Sequence, residues 1–144
     1  KGLYGATGNL LPTSRPSIIY TKGYIWCAMW TVKTTSLFDV WFDEQDEATQ
    51  EKVLAGLLAL AQGGPSVGRP LVDTIKGSRF TNLKELRVQH QGDPLRAFFA
   101  FDPLRQAIVL CAGNKGGNDK RFYKEMLPVA EAEYAKHLTE LEVG

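Results

Sequence analysis

A chain of 144 residues, 44% hydrophobic and 23% charged, has the size and make-up of one globular domain able to bury a real core. No apolar run approaches the ~18 residues a membrane-spanning helix needs, and the first residues lack a basic-then-apolar export signal. The net charge of +1 conceals a segregation: residues 63–124 carry eleven Lys and Arg against five Asp and Glu, residues 36–62 one against six, and residues 125–144 one against five.

That distribution argues against a general nucleic-acid binder and for a local site that receives a polyanion. Solvated strand faces and pairing with the acidic flanks would explain the same charges, and charge alone does not choose. Cys27 and Cys111 each sit inside an apolar run. They read as small buried thiols in a reducing cytoplasm rather than as a disulfide or metal site.

In chain order, residues 1–28 are rich in Gly, Ser, Thr and Pro without periodicity, and read as an N-terminal extension or tail. Ile18–Tyr20 and Tyr24–Trp26, joined by Thr21-Lys-Gly23, can pair as a small hairpin. The domain proper is placed at 29–144. Trp30–Thr35 alternates as a first strand. Ser36 caps a short helix over Leu37–Asp43, with Leu37, Phe38, Trp41 and Phe42 on its buried side. Asp46 caps a longer helix with Val53, Leu54, Leu57, Leu58 and Ala61 at helical spacing, stopped by Gln62-Gly-Gly-Pro65. Ser66–Ser78 reads as a loop.

Three strand-like runs follow, Leu83–Val88, Leu95–Phe101 and Ala107–Ala112, separated by turns at His90–Pro94 and Asp102–Gln106. In the second, Leu95, Ala97, Phe99 and Phe101 share one face and Arg96, Phe98 and Ala100 the other. The third is apolar on both faces and therefore central. Asn118 or Asp119 caps a C-terminal helix, in which Pro128 predicts a kink or a break near Leu127. The order βααβββα defines an α+β domain, an antiparallel-rich sheet with helices packed on one face.

Most catalytic sets are missing from the sequence. Gly63-Gly64 has neither the Lys-Ser/Thr ending nor the preceding strand of a phosphate-binding loop. There is no HExxH and no CxxC, so neither a metal nor any other cofactor is expected. The acidic cluster Asp39, Asp43, Glu44, Asp46 and Glu47 complements helix N-termini. Cationic chemistry remains. Cleaving RNA through its own 2′-OH needs a base, charge stabilisation at the phosphate, and an acid for the leaving 5′-oxygen. Arg supplies the second service, and Lys the first or third if its pKa is depressed. Lys84, Arg87 and Arg96 on strands, Lys115 at a strand end, and Tyr123 as a stacking ring or proton relay fit that scheme as one reading among several.

The runs Gly68-Arg-Pro-Leu-Val-Asp-Thr-Ile-Lys-Gly-Ser-Arg79, Asn82-Leu-Lys-Glu-Leu-Arg87, Leu95-Arg-Ala-Phe-Phe-Ala-Phe-Asp-Pro103 and Ala107-Ile-Val-Leu-Cys-Ala-Gly-Asn-Lys115, then Arg121-Phe-Tyr-Lys-Glu-Met-Leu-Pro128, stand in this order. Together they resemble the RelE/HigB superfamily of toxins from bacterial type II toxin–antitoxin systems, nearest its phage-related HigB-like branch. The resemblance spans about Met29–Leu141 and implies a RelE-like fold. It also implies a cytoplasmic, metal-independent ribonuclease that cuts mRNA in the ribosome, neutralised by a helix-turn-helix, HigA-like antitoxin in a hetero-oligomer.

By the same resemblance Arg96 is the phosphate-stabilising Arg. Lys84, Arg87, Lys115 and Tyr123 complete the catalytic set, while Lys76, Arg79, Lys120 and Arg121 contact RNA. No His lies where some HigB members place a catalytic one, so general acid and base stay open. The superfamily also holds ParE-like gyrase inhibitors without nuclease activity, and a catalytically silent antitoxin-binding relative is a third reading.

Overall fold

The computed structural model describes residues 19–21, 24–26 and 30–143. Among these residues seven strands and three α-helices follow one another as β1 (Ile19–Thr21), β2 (Tyr24–Trp26), β3 (Val32–Thr34), α1 (Ser36–Asp43), α2 (Glu47–Gly63), β4 (Val72–Thr74), β5 (Leu83–His90), β6 (Asp93–Phe101), β7 (Ala107–Asn114) and α3 (Asp119–Val143). The sheet order is β1-β2-β3-β7-β6-β5-β4. All neighbours are antiparallel except β3 and β7, which are parallel. The α+β class with an antiparallel-rich sheet holds, and β7 is the central strand, as its two apolar faces require.

One detail of the expected architecture differs. The helices do not share a face. Phe38 and Phe42 of α1 and Val53, Leu57 and Leu60 of α2 pack with Leu86, Val88, Leu95, Ala97, Phe99 and Val109. Ala130 and Tyr134 of α3 pack with Leu83, Phe98, Ala100, Ile108 and Leu110 on the other face. A sheet whose central strands are apolar on both sides must be covered on both sides. The alternation in β6 places Leu95, Ala97 and Phe99 opposite Phe98 and Ala100, as its sequence predicts.

The local corrections have local causes. The cap of α1 is Thr35, not Ser36. Its Oγ1 accepts from the Phe38 N–H at 3.1 Å and donates to the Leu110 carbonyl at 2.7 Å. That carbonyl lies in a bulge, since Phe98 pairs with Cys111 but Phe99 with Val109, leaving Leu110 as the extra residue of β7. Leu37 is 42% exposed, because helical spacing turns Phe38 and Phe42 to the sheet and carries Leu37 off that stripe. The Ser66–Ser78 segment contains the edge strand β4, paired with β5 through Val72–Leu86 and Thr74–Lys84.

Asp46 caps α2 as expected, accepting from the Thr49 N–H at 2.8 Å. Asn118 caps α3, accepting from the Arg121 N–H at 3.0 Å. α3 continues through Pro128 as one helix. Pro128 is exposed while Met126, Leu127 and Ala130 around it pack on the sheet, so the lost backbone bond falls on the solvent side.

The expected hairpin forms as β1 and β2, and β2 extends the sheet beside β3. The remainder of the N-terminal stretch, with Cys27 and Met29, lies outside the described residues. Cys111 is a free, buried thiol whose pKa is pushed up to about 12 by burial and then by Glu133, so it is unreactive at neutral pH. Among the described residues no helix is long and apolar enough to cross a membrane.

The Thr35 junction joins α1 to the bulge with one hydroxyl. Thr35→Val should cost about 1–2 kcal/mol in chemical denaturation, the range for a lost cap and a lost hydrogen bond. Ser36→Ala should be nearly neutral.

Candidate active site

The centre of the site is a residue that the sequence reading passed over. Strand alternation on β5 sends Leu86 and Val88 to the α1–α2 side and Leu83, Glu85 and Arg87 to the α3 side. Glu85 is only 4% exposed, and a carboxylate so far out of water must be held by donors. It has three. The Tyr123 hydroxyl donates to Oε1 at 2.5 Å and the Arg87 Nε to Oε2 at 3.2 Å, while the Arg96 Nε forms an ion pair with Oε1 at 3.9 Å.

Each partner comes from a different element. Arg87 and Arg96 are direct cross-strand neighbours on β5 and β6, so like charges face each other and the carboxylate between them offsets their repulsion. Arg96 is itself only 8% exposed. Its Nη1 donates to its own Leu95 carbonyl at 2.9 Å, and its buried Nε lacks a hydrogen-bond acceptor. Arg87 also lies 3.8 Å from Asp73 on β4. Tyr123 comes from the first turns of α3 and stacks on Phe98 at 5.8 Å between ring centroids. That helix approaches closely because Gly113 stands opposite Arg96; an added Cβ there would lie 3.0 Å from Phe122 and Met126.

Lys115, past the end of β7, has its Nζ 5.9 Å from the Tyr123 ring centroid and 3.2 Å from Asp119. The structure therefore brings Arg87, Arg96 and Tyr123 together around Glu85, with Lys115 beside the Tyr123 ring. Lys76 is exposed beside them and lines a recess with Glu85 and Tyr123.

Other sequence candidates stand apart. Lys84 shares the α1–α2 side with Leu86 and Val88, one residue out of phase with Arg87, so it does not join the cluster. Arg79 lies over the Phe80 ring at 4.7 Å and pairs with Glu131, eight positions beyond Tyr123 and about 12 Å along the helix. Arg121 is exposed and pairs with Glu125 at 3.0 Å, and Lys120 is exposed next to it. The signal for Glu85 was present in Leu83-Lys-Glu-Leu-Arg87, where a two-residue period puts Glu85 and Arg87 on one face.

Electrostatics constrain what these groups can do. Burial, then the bond and charge of Glu85, push the Tyr123 hydroxyl up to about 12, with Arg96 pulling the other way. At neutral pH Tyr123 is a proton donor, and no free phenolate is available. Two guanidiniums and an ammonium close by can stabilise negative charge on a phosphate, and a hydroxyl already bonded to a carboxylate can pass a proton to it. Because the folded-state pKa is raised, the native state keeps a proton that the unfolded chain loses near pH 10, so stability declines between about pH 10 and 12. An ultraviolet titration should show one tyrosine ionising near pH 12, and Tyr123→Phe should remove both that step and its part of the stability loss.

The chain matches the family model described as Phage derived protein Gp49-like (DUF891) over residues 40–135. It is 44% identical over 114 residues to a Mycobacterium tuberculosis protein named "Putative toxin HigB2", a match covering 78% of this chain and 56% of that one. The chain thus spans little more than half the length of that relative. It is 43% identical over 91 residues to "Putative toxin HigB3" of the same organism, covering 63% of this chain and 78% of the relative. No solved structure matches. With two thirds of its length under the family model, the chain belongs to the phage-derived Gp49-like family, within the RelE/HigB superfamily.

Proposed function

We propose that the chain is the toxin of a type II toxin–antitoxin module and that it cuts mRNA in the ribosome without a metal ion. The observation that carries this reading is the gathering of Arg87, Arg96 and Tyr123 around the buried carboxylate of Glu85, with Lys115 beside the Tyr123 ring. The 2′-oxygen attacks the adjacent phosphorus, the bond from phosphorus to the 5′-oxygen breaks, and a 2′,3′-cyclic phosphate and a 5′-hydroxyl result. Arg87 and Arg96 take the charge that grows on the phosphate oxygens. The 2′-OH proton passes to the Tyr123 oxygen as Tyr123 gives its own to Glu85, a relay that needs no free phenolate. The Lys115 ammonium supplies the proton to the leaving 5′-oxygen, and exchange with water resets both groups. The exposed Lys76, Arg79, Lys120 and Arg121 contact mRNA or ribosomal RNA backbone.

The partner that restrains such a toxin is a helix-turn-helix, HigA-like antitoxin, and the module works in the cytoplasm. A second reading rests on a specific feature. Arg96 spends Nη1 on its own backbone, and Arg87 is divided between Glu85 and Asp73. Cations so engaged suit a ParE-like gyrase inhibitor or a catalytically silent antitoxin-binding relative.

Translating a reporter mRNA in a purified system and mapping its ends separates these readings. Codon-associated cuts are expected. Arg87→Ala should slow them roughly 100- to 1,000-fold, and Glu85→Gln or Tyr123→Phe roughly 100- to 10,000-fold. Intact mRNA together with blocked supercoiling would replace the nuclease by the gyrase reading. Intact mRNA and unaffected gyrase would leave the silent one.

A further inference from the structure

Toward the far end of α3, a pocket of about 230 Å³ opens between that helix, β3 and the start of α1. It shares no lining residue with the Glu85 cluster. His137 lines it, fourteen positions beyond Tyr123 and roughly 21 Å along the helix. Only 5% of His137 is exposed. Its Nε2 donates to Asp102 Oδ2 at 2.8 Å. Asp102 also accepts from the Leu104 and Gln106 backbone N–H groups and from the Gln106 amide, so the ring nitrogen it faces is the one that carries the hydrogen. The other nitrogen, Nδ1, has no hydrogen-bond partner among the described residues and is not sealed from solvent. Holding α3 to the β6–β7 turn needs only Nε2. A buried ring fixed by a carboxylate, with its second nitrogen open to a pocket, is set up to meet a ligand.

The walls carry both signs of charge. Glu133 and Glu140 lie about one turn to either side of His137, with Lys136 next to it, and among the described residues none of the three is in an ion pair. Across from them α1 begins. Thr35 accepts from the Phe38 and Asp39 N–H groups, which leaves those of Ser36 and Leu37, with the Ser36 hydroxyl, at the positive end of the helix. Leu37 and Ile108 add apolar surface. A simple anion would meet the two glutamates, and a simple cation would meet Lys136 and the helix N-terminus. Nor do the acids close with His137 into a set of three metal ligands among the described residues. A ligand with both charges a few atoms apart satisfies every wall. The volume falls below the ~300 Å³ at which sites for drug-sized ligands begin, which suits a molecule of amino-acid size.

We infer that this pocket binds a free α-amino acid with a small apolar side chain. The ligand carboxylate lies at the start of α1 and beside Lys136. Its ammonium donates to His137 Nδ1 between Glu133 and Glu140, and its side chain rests on Leu37 and Ile108. Such a site does not depend on what the Glu85 cluster cleaves.

The test is a set of NMR titrations of the whole chain with glycine, alanine, valine and leucine, reading the His137 ring and the Leu37 and Ile108 methyls. N-acetylvaline, valinamide, acetate and inorganic phosphate serve as probes that lack one charge. At least one of the amino acids should move all three sets of signals, with His137 Nδ1 responding as an unprotonated nitrogen that gains a hydrogen bond. Valine should bind roughly 10- to 100-fold more tightly than valinamide or N-acetylvaline, the effect of one lost charge-assisted hydrogen bond. Glu133→Gln and Lys136→Met, which break no ion pair, should each weaken valine roughly 10-fold while the fold stays intact. No perturbation at millimolar amino acid, equal effects of acetate or phosphate alone, or undiminished binding in both variants would overturn the inference.

Discussion

The carboxylate of Glu85 is the constraint around which this molecule's charged face is built. It sits almost out of water and receives the Tyr123 hydroxyl, the Arg87 guanidinium and, at longer range, that of Arg96. Without it two guanidiniums would face each other across neighbouring strands with nothing between them, and the ring that opens α3 would lose its polar anchor. Buried ionic groups of this kind contribute little net stability and cost several kcal/mol when one partner is removed. What they secure here is position. Side chains from β5, β6 and α3 are tied to one point, with Lys115 from the end of β7 close by.

The two-sided packing of the sheet explains how that point comes to lie at a margin. The α1–α2 layer takes one face and α3 the other, but α3 covers only part of its side, where Phe98, Ile108 and Leu110 meet Ala130 and Tyr134. Toward β4 and the far end of β5 the sheet emerges from under the helix. The polar residues Glu85, Arg87, Gln89 and Arg96 occupy that strip. The segregation of basic centre from acidic helices thus has a spatial counterpart. Part of the basic charge is internally spent, as Arg79 with Glu131 and Arg121 with Glu125 illustrate, and the remainder concentrates near Glu85.

Much of this was legible in the residues. Strand periodicity in β5, β6 and β7, the Asp46 cap, the central place of β7 and the α+β class follow from patterns that local physics enforces. Arg87, Arg96, Lys115 and Tyr123 do come together. Three things were not legible, each for a physical reason. Helices on both faces depend on the chain path between α2 and β5, which local periodicity does not encode, although the two apolar faces of β7 were a hint. The edge strand β4 is three residues long, too short for a period-two signal. Glu85 was overlooked because a carboxylate in a basic region reads as charge balance, whereas its importance comes from burial, and burial is a tertiary property. Lys84 illustrates the converse: its charge attracted attention, while its phase on the strand sends it to the opposite side.

The central claim is that one side of this sheet, organised by Glu85, meets RNA. The most direct measurement is NMR mapping of a short RNA whose 2′-oxygens are methylated, so that it binds without being cut. The account predicts that signals of the Arg87 and Arg96 guanidiniums, the Tyr123 ring and the Lys115 ammonium change together as RNA is added, while the Lys84 ammonium on the other side stays unmoved. Changes centred on Lys84 and the α1–α2 face, with the Glu85 cluster silent, would contradict it.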